Sequence, residues 1–309
     1  MQIGMVGLGK MGLNMSKRLL KGRHKVVGYS ISKQEVASLQ KAGGKGTGSL
    51  EGLVGVLKAP RVIWLMLPAG SPTEETIKRL KGLLERGDTI IDGGNSMYKD
   101  DLRRSEELSA YGINYADVGV SGGVWGLKEG YCLMMGGDKR TYTKVLPALR
   151  TLAPKDGYLH CGPVGSGHFV KMVHNGIEYG MMSAYGEGFE IMEASQFGKD
   201  LDFARIADLW MQGSVVRSWL LELLAGALRQ DPGLRDIGGY VEDSGEGRWT
   251  IEAAIESAVP APVITASVFQ RFSSRGKGDF SNRILAALRN QFGGHAVRKK
   301  AASAGKKGK

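Results

Sequence analysis

Short apolar runs alternate with amphipathic segments through the first half of the chain, and helical spacing alone follows. The apolar runs predict six strands: Gln2–Val6, Lys25–Tyr29, Arg61–Leu67, Thr89–Asp92, Ala116–Val120 and Gly130–Gly137. Helices are predicted between them. This alternation predicts a doubly wound α/β sheet. From about residue 165 onward the spacing predicts long helices and no strands, so we expect an all-helical domain to follow the sheet.

The change of pattern near residue 165 and the composition of the C-terminus divide the chain into three parts. We expect an α/β domain over residues 1–164, an all-helical domain over 165–297 and a disordered basic tail over 298–309. The net charge is +11, and the tail holds six basic residues and no acid, so the remainder carries +5. We interpret the tail as a solubilising segment, with weak polyanion binding as the alternative. A charge of +5 on the body favours small anionic ligands.

One predicted helix, from His168 to Tyr179, carries a polar stripe. Four of its residues are spaced i, i+3, i+4 and i+7 and therefore share one face: Lys171, His174, Asn175 and Glu178. Apolar side chains surround the rest of the circumference, so the pattern predicts a buried helix with a single polar face. Because burying a lysine and a glutamate is costly, we expect this face to have a chemical use.

The first predicted strand runs directly into Gly7-Leu-Gly-Lys-Met-Gly12, a GxGxxG sequence that opens a helix. The first glycine permits a tight turn, the second lets the backbone approach a diphosphate, and the third lets helix and strand pack closely. A Rossmann-type, dinucleotide-binding domain is therefore predicted, with a purely structural turn as the alternative. The expected cofactor contacts are Gly7, Leu8, Gly9, Met11 and Gly12.

The end of the second strand bears on the choice of cofactor. An acid there is typical of NAD binding, whereas its absence favours NADP. Here the strand is followed by Ser30, Ser32 and Lys33, with no acid before Glu35. These residues could hold a 2′-phosphate, so the sequence favours NADP and leaves NAD open. A helix N-cap cluster is the alternative interpretation.

Loops after the other strands are expected to border the cofactor, since ligands bind beyond the carboxyl ends of the strands. Leu67 and Asn95 lie in two of these loops, and helix capping is the alternative role of Asn95. After the next strand, Ser121, Gly122 and Gly123 offer a hydroxyl and backbone amides that could bind a carboxylate. A plain glycine turn would have the same sequence.

Other functional classes are disfavoured. Cys132 and Cys161 form neither a disulfide framework nor a metal-ligand spacing, so we expect no metal. The N-terminus enters a strand without a secretion signal, and no apolar run approaches the roughly 20 residues of a membrane span. We therefore expect a soluble, cytoplasmic protein. The basic tail has no interleaved aromatics, so no nucleic-acid partner is expected.

Five segments together resemble the decarboxylating 6-phosphogluconate dehydrogenase family: Gly7–Gly12, Asp92–Ser96, Ser121–Gly123, Lys171–Tyr179 and Arg289–His295. They cover nearly the whole chain in the family's order, and the length resembles the family's shorter branch. The resemblance implies oxidation of 6-phospho-D-gluconate at C3 by NAD(P)⁺, loss of CO₂ and formation of D-ribulose 5-phosphate in the pentose phosphate pathway. A dehydrogenase of the 3-hydroxyisobutyrate type, with an unphosphorylated β-hydroxy acid, is the alternative.

The resemblance also implies roles for single residues. Lys171 is similar to the family's general base for the 3-hydroxyl, and Glu178 to the acid that protonates C1. Desolvation favours the neutral forms of both side chains, as these roles require. The carboxylate and hydroxyls of the substrate would be held by Asn95, Ser121, Gly122, Gly123, His174 and Asn175. The 6-phosphate would be held by Tyr179, Arg271 and Arg289, because arginine suits bidentate contact with phosphate.

In this family the C-terminal segment enters the neighbouring subunit's site. A homodimer or homotetramer is therefore implied, in which Arg289 and His295 complete the partner's site. Two departures from the long enzymes are present. Ser244 and Glu246 stand where their phosphate loop has Lys and Thr, and Ser30-Ile31 stands where NADP-specific members have Asn-Arg. The first puts this loop's phosphate contact in doubt, and the second weakens any cofactor assignment from the family.

Overall fold

The computed structural model describes residues 1–293, without the side chains of residues 279, 290, 292 and 293. The chain divides into two compact units, Met1–Gly176 and Ile177–Lys309. The division falls inside one long helix, α8, which spans Ser166–Ala194. The sequence pattern placed the boundary at residue 164, just before this helix.

An eight-stranded sheet forms the centre of the first unit. Its strands are β1 Gln2–Val6, β2 Lys25–Tyr29, β3 Lys45–Thr47, β4 Val62–Leu65, β5 Thr89–Asp92, β6 Asn114–Ser121, β7 Cys132–Gly136 and β8 Tyr158–Gly162. Their order is β3-β2-β1-β4-β5-β6-β7-β8. Strands β1 to β6 are parallel, whereas β7 is antiparallel to β6 and parallel to β8. The predicted α/β sheet is confirmed.

Two strands, β3 and β8, lie at the edges of the sheet and were not predicted from the sequence. β3 has only three residues, and β8 has no fully buried residue. An edge strand with one solvated face does not produce the continuous apolar run that marks a central parallel strand. The pattern therefore predicted the six inner strands and not these two.

Helices cover both faces of this sheet. They are α1 Lys10–Lys21, α2 Lys33–Lys41, α3 Leu50–Val56, α4 Ser71–Lys81, α5 Tyr98–Ser109, α6 Gly126–Glu129 and α7 Lys139–Leu152. Two apolar cores result. Ile3 and Met5 of β1 join α1 and α7 in one core, while Val6 joins α3, α4 and α5 in the other. The alternation of side chains along a strand thus supplies both faces of a doubly wound sheet.

The exposure of α8 corrects one expectation. Met172 is buried, but Val170 is 41% and Ile177 54% exposed in the single chain. The helix is therefore not covered on every apolar side by its own chain. A sequence pattern reports which side chains are apolar and not which molecule covers them.

The second unit is helical throughout its described part, as predicted. Besides the later part of α8, it contains α9 Phe203–Trp210, α10 Trp219–Gln230, α11 Glu246–Glu256, α12 Pro262–Ser274 and α13 Asp279–Gly293. A small core of Ala207, Leu221 and Ala225 is surrounded by aromatic side chains of neighbouring helices. Within residues 1–293, no helix is both long enough and apolar enough to cross a membrane.

Candidate active site

The glycine turn between β1 and α1 has the geometry that a dinucleotide diphosphate requires. Gly7 has φ +89°, and a side chain on it would collide with the Met66 carbonyl. A side chain on Gly12 would collide with the Gly7 carbonyl. A Cβ on Gly9, however, would meet nothing in the described chain nearer than Glu35 Oε1, at 3.9 Å. Protein packing therefore explains two of the glycines, and the space beside the third fits a bound cofactor.

The other predicted cofactor residues lie around this turn. Leu8 is fully buried, so its backbone alone can face a ligand. Met11 and Leu67 are half-buried against the cores on opposite faces of the sheet. The N-cap position of α1 is Gly9, which offers no side chain to the free backbone amides of the first turn. Those amides and the helix dipole are suited to an anionic diphosphate.

At the end of β2 the structure introduces a residue that sequence analysis did not assign to the site. Ser32 caps α2 by accepting a hydrogen bond from the Glu35 amide, as the capping alternative predicted. Ser30 Oγ donates to Glu35 Oε2 at 2.5 Å, while Lys33 is exposed. A carboxylate thus lies beside the end of β2 although no acid occurs there in the sequence.

The loop after β5 is held by a buried aspartate. Asp92 Oδ1 accepts from the Gly94 amide at 2.9 Å, and Oδ2 accepts from Ser96 Oγ at 2.7 Å. Asn95 lies between these two anchored residues and is half-exposed. The N-cap position of α5 is Met97, so the alternative that Asn95 caps this helix is wrong. Its amide is free of that structural duty.

A buried ionic network continues from this loop to α8. Arg104 Nη1 donates to Asp92 at 3.1 Å, and Tyr115 OH donates to Asp101 at 2.8 Å. His168, in the first turn of α8, donates from Nδ1 to Asp101 at 2.7 Å. All five side chains are buried. The network therefore ties the Asn95 loop to the start of the helix that carries Lys171.

Three of these side chains, Asp92, Asp101 and His168, have ligand atoms within 4.8 Å of one another. A divalent cation would compete there with Arg104, whose guanidinium already contacts Asp92. Ser96 and Tyr115 also donate to the two carboxylates. The arrangement is therefore that of an ion-pair network and not of a metal site.

The start of α8 is fastened to the sheet. Asp117 of β6 accepts from the Gly165 amide at 2.7 Å and from the His168 amide at 2.8 Å. Gly119 lies two residues after Asp117 on β6. It faces the helix so closely that a Cβ on it would collide with the Lys171 side chain. The absence of a side chain on Gly119 therefore lets the Lys171 stem lie against the sheet.

Three of the predicted site residues are brought together on α8. Lys171 Nζ donates to Asn175 Oδ1, and His174 Nδ1 is 2.9 Å from the same oxygen. Gly119, whose Cβ would collide with Lys171, lies two residues before Ser121 on β6. Cys132 pairs with Ser121 across β6 and β7. Lys171 and the Ser121 loop thus belong to one region of the first unit.

The loop after Ser121 consists of two glycines in left-handed conformations. Gly122 has φ 120° and Gly123 φ 50°, and a short 3₁₀ turn, Gly123–Trp125, follows. Residues with side chains rarely adopt these angles. The loop conformation alone therefore explains the glycines, and carboxylate binding by their amides stays a prediction.

In the second unit, two predicted phosphate ligands contact each other. The Arg271 guanidinium lies 3.5 Å from the centroid of the Tyr179 ring, and its Nη1 donates to the Glu242 carbonyl at 2.6 Å. The Ser244 amide donates to Tyr179 OH at 3.3 Å. Glu178 is half-buried on α8. Cation–π contact and the backbone bond orient Arg271 while leaving it further N–H donors.

The loop that departs from the long enzymes is acidic and internally paired. Ser244 Oγ donates to the buried Glu246 at 2.6 Å. Arg248 and Arg275 both donate to Asp243 at 2.6 Å, and these bonds, Arg248 first, lower the pKa of Asp243 to about 2. Arg248, the cation of this loop, is therefore already paired with the loop's own Asp243.

The two predicted site residues nearest the C-terminus are Arg289 and His295. Arg289 lies exposed on α13. His295 lies outside the described residues. Their roles at a neighbouring subunit's site stay predictions.

The sheet, the glycine turn and the anchored lysine define a class, the NAD(P)-dependent oxidoreductases. Residues 2–162 match the model of the NAD binding domain of 6-phosphogluconate dehydrogenase, and residues 167–304 match that of the 6-phosphogluconate dehydrogenase C-terminal domain. The chain belongs to the 6-phosphogluconate dehydrogenase family.

Individual relatives agree with this assignment. A Haloferax volcanii protein named as an NAD⁺-dependent, decarboxylating 6-phosphogluconate dehydrogenase is 42% identical over 302 residues, covering 97% of this chain and 99% of that one. The Bacillus subtilis protein YqeC, which bears the dehydrogenase name as a provisional description, is 45% identical and matches 97% of this chain and all of its own length.

A Plasmodium falciparum 6-phosphogluconate dehydrogenase, solved in apo form and with NADP⁺ and 6-phosphogluconate, is similar in structure with a TM-score of 0.81. It is 29% identical, and the match covers 97% of this chain and 66% of the Plasmodium chain. The relatives thus include both an enzyme named for NAD⁺ and one solved with NADP⁺.

The close approach at Gly119 predicts that Gly119→Ala is destabilising. Its methyl group would collide with Lys171 and lie 2.9 Å from the Gly167 carbonyl, so α8 must shift. Overpacking of this kind costs about 1–3 kcal/mol, and we expect Tm to fall by several degrees in thermal unfolding. Gly48→Ala is the control, because a Cβ there meets no described atom within 4 Å. An unchanged Tm for Gly119→Ala would contradict the packing argument.

The His168–Asp101 pair predicts a pH-dependent stability. Burial opposes the charged ring, but Asp101, Asp92 and Asp117 outweigh burial and raise the pKa of His168 to about 9. A raised pKa stabilises the fold below pH 6.5, and this stabilisation is lost as pH rises through 9. We therefore expect the urea midpoint to fall between pH 6.5 and 9.

The variant His168→Gln should be destabilised by about 3–5 kcal/mol at pH 6.5, since it breaks a buried ion pair, and should lack this fall. His160→Gln is the matched control. His160 donates to the Gly137 carbonyl and faces no carboxylate in a described hydrogen bond, so its variant should keep the fall. The same pH dependence in His168→Gln would refute the assignment.

Proposed function

We propose that this protein oxidises and decarboxylates 6-phospho-D-gluconate, giving D-ribulose 5-phosphate and CO₂ with reduction of NAD(P)⁺. The observation that carries the proposal is the fixed position of Lys171. Its amine donates to Asn175, and its stem lies against β6 because Gly119 has no side chain. A lysine fixed in this way can act as a base on a substrate hydroxyl. The similarity to the Plasmodium enzyme supports 6-phosphogluconate as the substrate, since that enzyme was solved with this compound.

Each proton transfer has a candidate residue on α8. Lys171 takes the proton from the 3-hydroxyl. When bound, NAD(P)⁺ supplies the hydride acceptor. The resulting β-keto acid loses its carboxylate as CO₂, and Glu178 protonates the carbon that becomes C1 of the pentulose. Lys171 and Glu178 are seven positions apart on α8, which places them about two helical turns from each other on the same face.

Substrate positioning is assigned to the polar groups near Lys171. Asn175 accepts from Lys171 through Oδ1, and its amide nitrogen is the kind of donor that suits a substrate oxygen. His174, Asn95 and the Ser121–Gly123 loop complete the proposed set for the carboxylate and hydroxyls. The Asp92 bonds fix the loop that presents Asn95.

The phosphate is assigned to Tyr179 and Arg271 and not to the loop that contains Ser244 and Glu246. A buried glutamate that accepts from Ser244 would repel a phosphate dianion, whereas Arg271 can donate to one. The same acidic loop favours one alternative, a β-hydroxy acid dehydrogenase with an unphosphorylated substrate of the 3-hydroxyisobutyrate type.

A homodimer or homotetramer is part of the proposal. Large apolar side chains are exposed on the second unit, among them Ile177, Ile191, Leu223, Val263 and Phe269. Exposed apolar surface of this extent supports association with another copy. In such an assembly the segment from Arg289 to His295 completes the neighbouring site. Both cysteines are free, which suits a reducing, cytoplasmic setting.

One assay tests the substrate. Formation of reduced cofactor is followed by absorbance with 6-phosphogluconate and with 3-hydroxyisobutyrate, each with NAD⁺ and NADP⁺, while released CO₂ is measured. We expect turnover and CO₂ with the phosphorylated sugar acid. Turnover with the unphosphorylated acid alone would replace the proposal by its alternative.

The acid–base assignment predicts that Lys171→Met and Glu178→Gln bind 6-phosphogluconate but lose about 10²–10⁴-fold in kcat each. Single-turnover kinetics and equilibrium binding separate the two effects. Lys78→Met and Glu187→Gln are matched controls, because both residues are exposed and Glu187 lies on the same helix as Glu178. A Lys171→Met protein that keeps most of its rate would disprove the base.

The proposed role of the C-terminal segment predicts different results for two truncations. Deletion of residues 288–309 removes Arg289 and His295 and should abolish 6-phosphogluconate binding while cofactor binding remains. Deletion of residues 298–309 removes the basic tail alone and should leave KM within about twofold. Unchanged turnover in the longer deletion would show that neither residue is needed.

A further inference from the structure

Glu35 occupies an unusual position for a residue of the first turn of α2. It is the fourth residue of Ser32-Lys-Gln-Glu35, a sequence typical of a capping box. In a capping box the serine hydroxyl accepts from the glutamate amide, and the glutamate carboxylate accepts from the serine amide. The first bond is present, at 3.4 Å.

The second bond of the box is replaced. The Ser32 amide donates to Ser30 Oγ at 3.2 Å, and Ser30 Oγ donates in turn to Glu35 Oε2 at 2.5 Å. Ser30 therefore stands between the cap and the carboxylate. The glutamate side chain reaches past the helix terminus to the end of β2, where Ser30 directly follows Tyr29.

This carboxylate also borders the glycine turn. A Cβ on Gly9 would lie 3.9 Å from Glu35 Oε1, and Gly9 is the N-cap residue of α1. β1 and β2 are paired along their whole length, from Gln2↔Lys25 to Val6↔Tyr29, so their carboxyl ends are neighbours. Glu35 thus lies between the diphosphate site and the strand end that receives the adenosine ribose in this fold.

We propose that Glu35 selects NAD over NADP by accepting from the adenosine ribose hydroxyls and repelling a 2′-phosphate. A carboxylate offers about four lone-pair sites, and Ser30 uses one of them. A 2′-phosphate at the same place would put two anions in contact without a donor between them, which disfavours NADP. The geometry thereby reverses the preference that the sequence alone favoured.

The three residues first considered as phosphate ligands do not offset this repulsion. The single proton of Ser30 is donated to Glu35, and the Ser32 hydroxyl accepts from the Glu35 amide. Lys33 is exposed, and an exposed lysine gains little from an ion pair in water. Among Ser30, Ser32, Lys33 and Glu35, the charge that the described hydrogen bonds hold in place is therefore the Glu35 carboxylate.

Direct binding tests the proposal without any sugar acid, so its outcome does not depend on the proposed substrate. Titration calorimetry of the full chain with NAD⁺ and with NADP⁺ gives the ratio of their dissociation constants. We expect NADP⁺ to bind at least tenfold more weakly than NAD⁺. Equal or tighter binding of NADP⁺ would overturn the proposal.

The variant Glu35→Gln keeps the shape of the side chain and removes its charge. We expect it to lower the NADP⁺/NAD⁺ ratio of dissociation constants at least tenfold, chiefly by strengthening NADP⁺ binding. Glu51→Gln is the matched control: Glu51 also follows a serine cap, Ser49, in the first turn of a helix of the same unit. Its ratio should equal that of the unmodified protein.

Thermal unfolding in the absence of cofactor separates the proposal from a merely structural role. If Glu35 served the helix alone, Glu35→Gln would lower Tm and leave the ratio unchanged, and the proposal would fall. Failure to turn over 6-phosphogluconate would instead contradict the proposed function and leave the binding ratio intact.

Discussion

One buried carboxylate determines where the proposed base lies. Asp117 receives the amides of Gly165 and His168, which belong to the helix terminus whose backbone donors have no partner within the helix. The positive end of the helix dipole and the two bonds together offset the burial of this charge. Because β6 continues from Asp117 to Gly119, the same strand that fixes the start of α8 also fixes the height at which Lys171 meets the sheet.

The second anchor of α8 is electrostatic and reaches the loop after β5. His168 holds Asp101, and through Tyr115 and Arg104 the chain of contacts arrives at Asp92. Burial raises the pKa of Asp101 to about 6, and its contact with His168 opposes that rise, so the pair is charged at neutral pH. The bonds of this network hold Asp92, Asp101 and His168 in one arrangement. Asn95 and Lys171 therefore occupy positions set by a common framework, although 76 positions separate them in the sequence.

Much of this architecture is readable from the sequence, because its signals are local. The inner strands, the glycine turn, the helical second unit and the spacing of the Lys171 face each depend on residues within about ten positions of one another. The framework was missed because Asp101 and His168 are 67 residues apart and neither has a distinctive neighbour. Glu35 was missed for a different reason: its side chain is redirected by Ser30, and direction cannot be read from residue type. The roles of the site residues come from resemblance, and neither periodicity nor packing assigns them.

Glu35 lies on a helix and not at the strand end. The capping of α2 and the charge beside the end of β2 therefore depend on different groups. Ser32 caps α2 through its own hydroxyl, and the bond it accepts comes from the backbone of residue 35 whatever the side chain there. The Ser32 cap of α2 therefore does not depend on the acid, whereas the bond that holds Ser30 does. Under the role proposed for Glu35, the choice between a catabolic and a biosynthetic electron pool depends on one helix position.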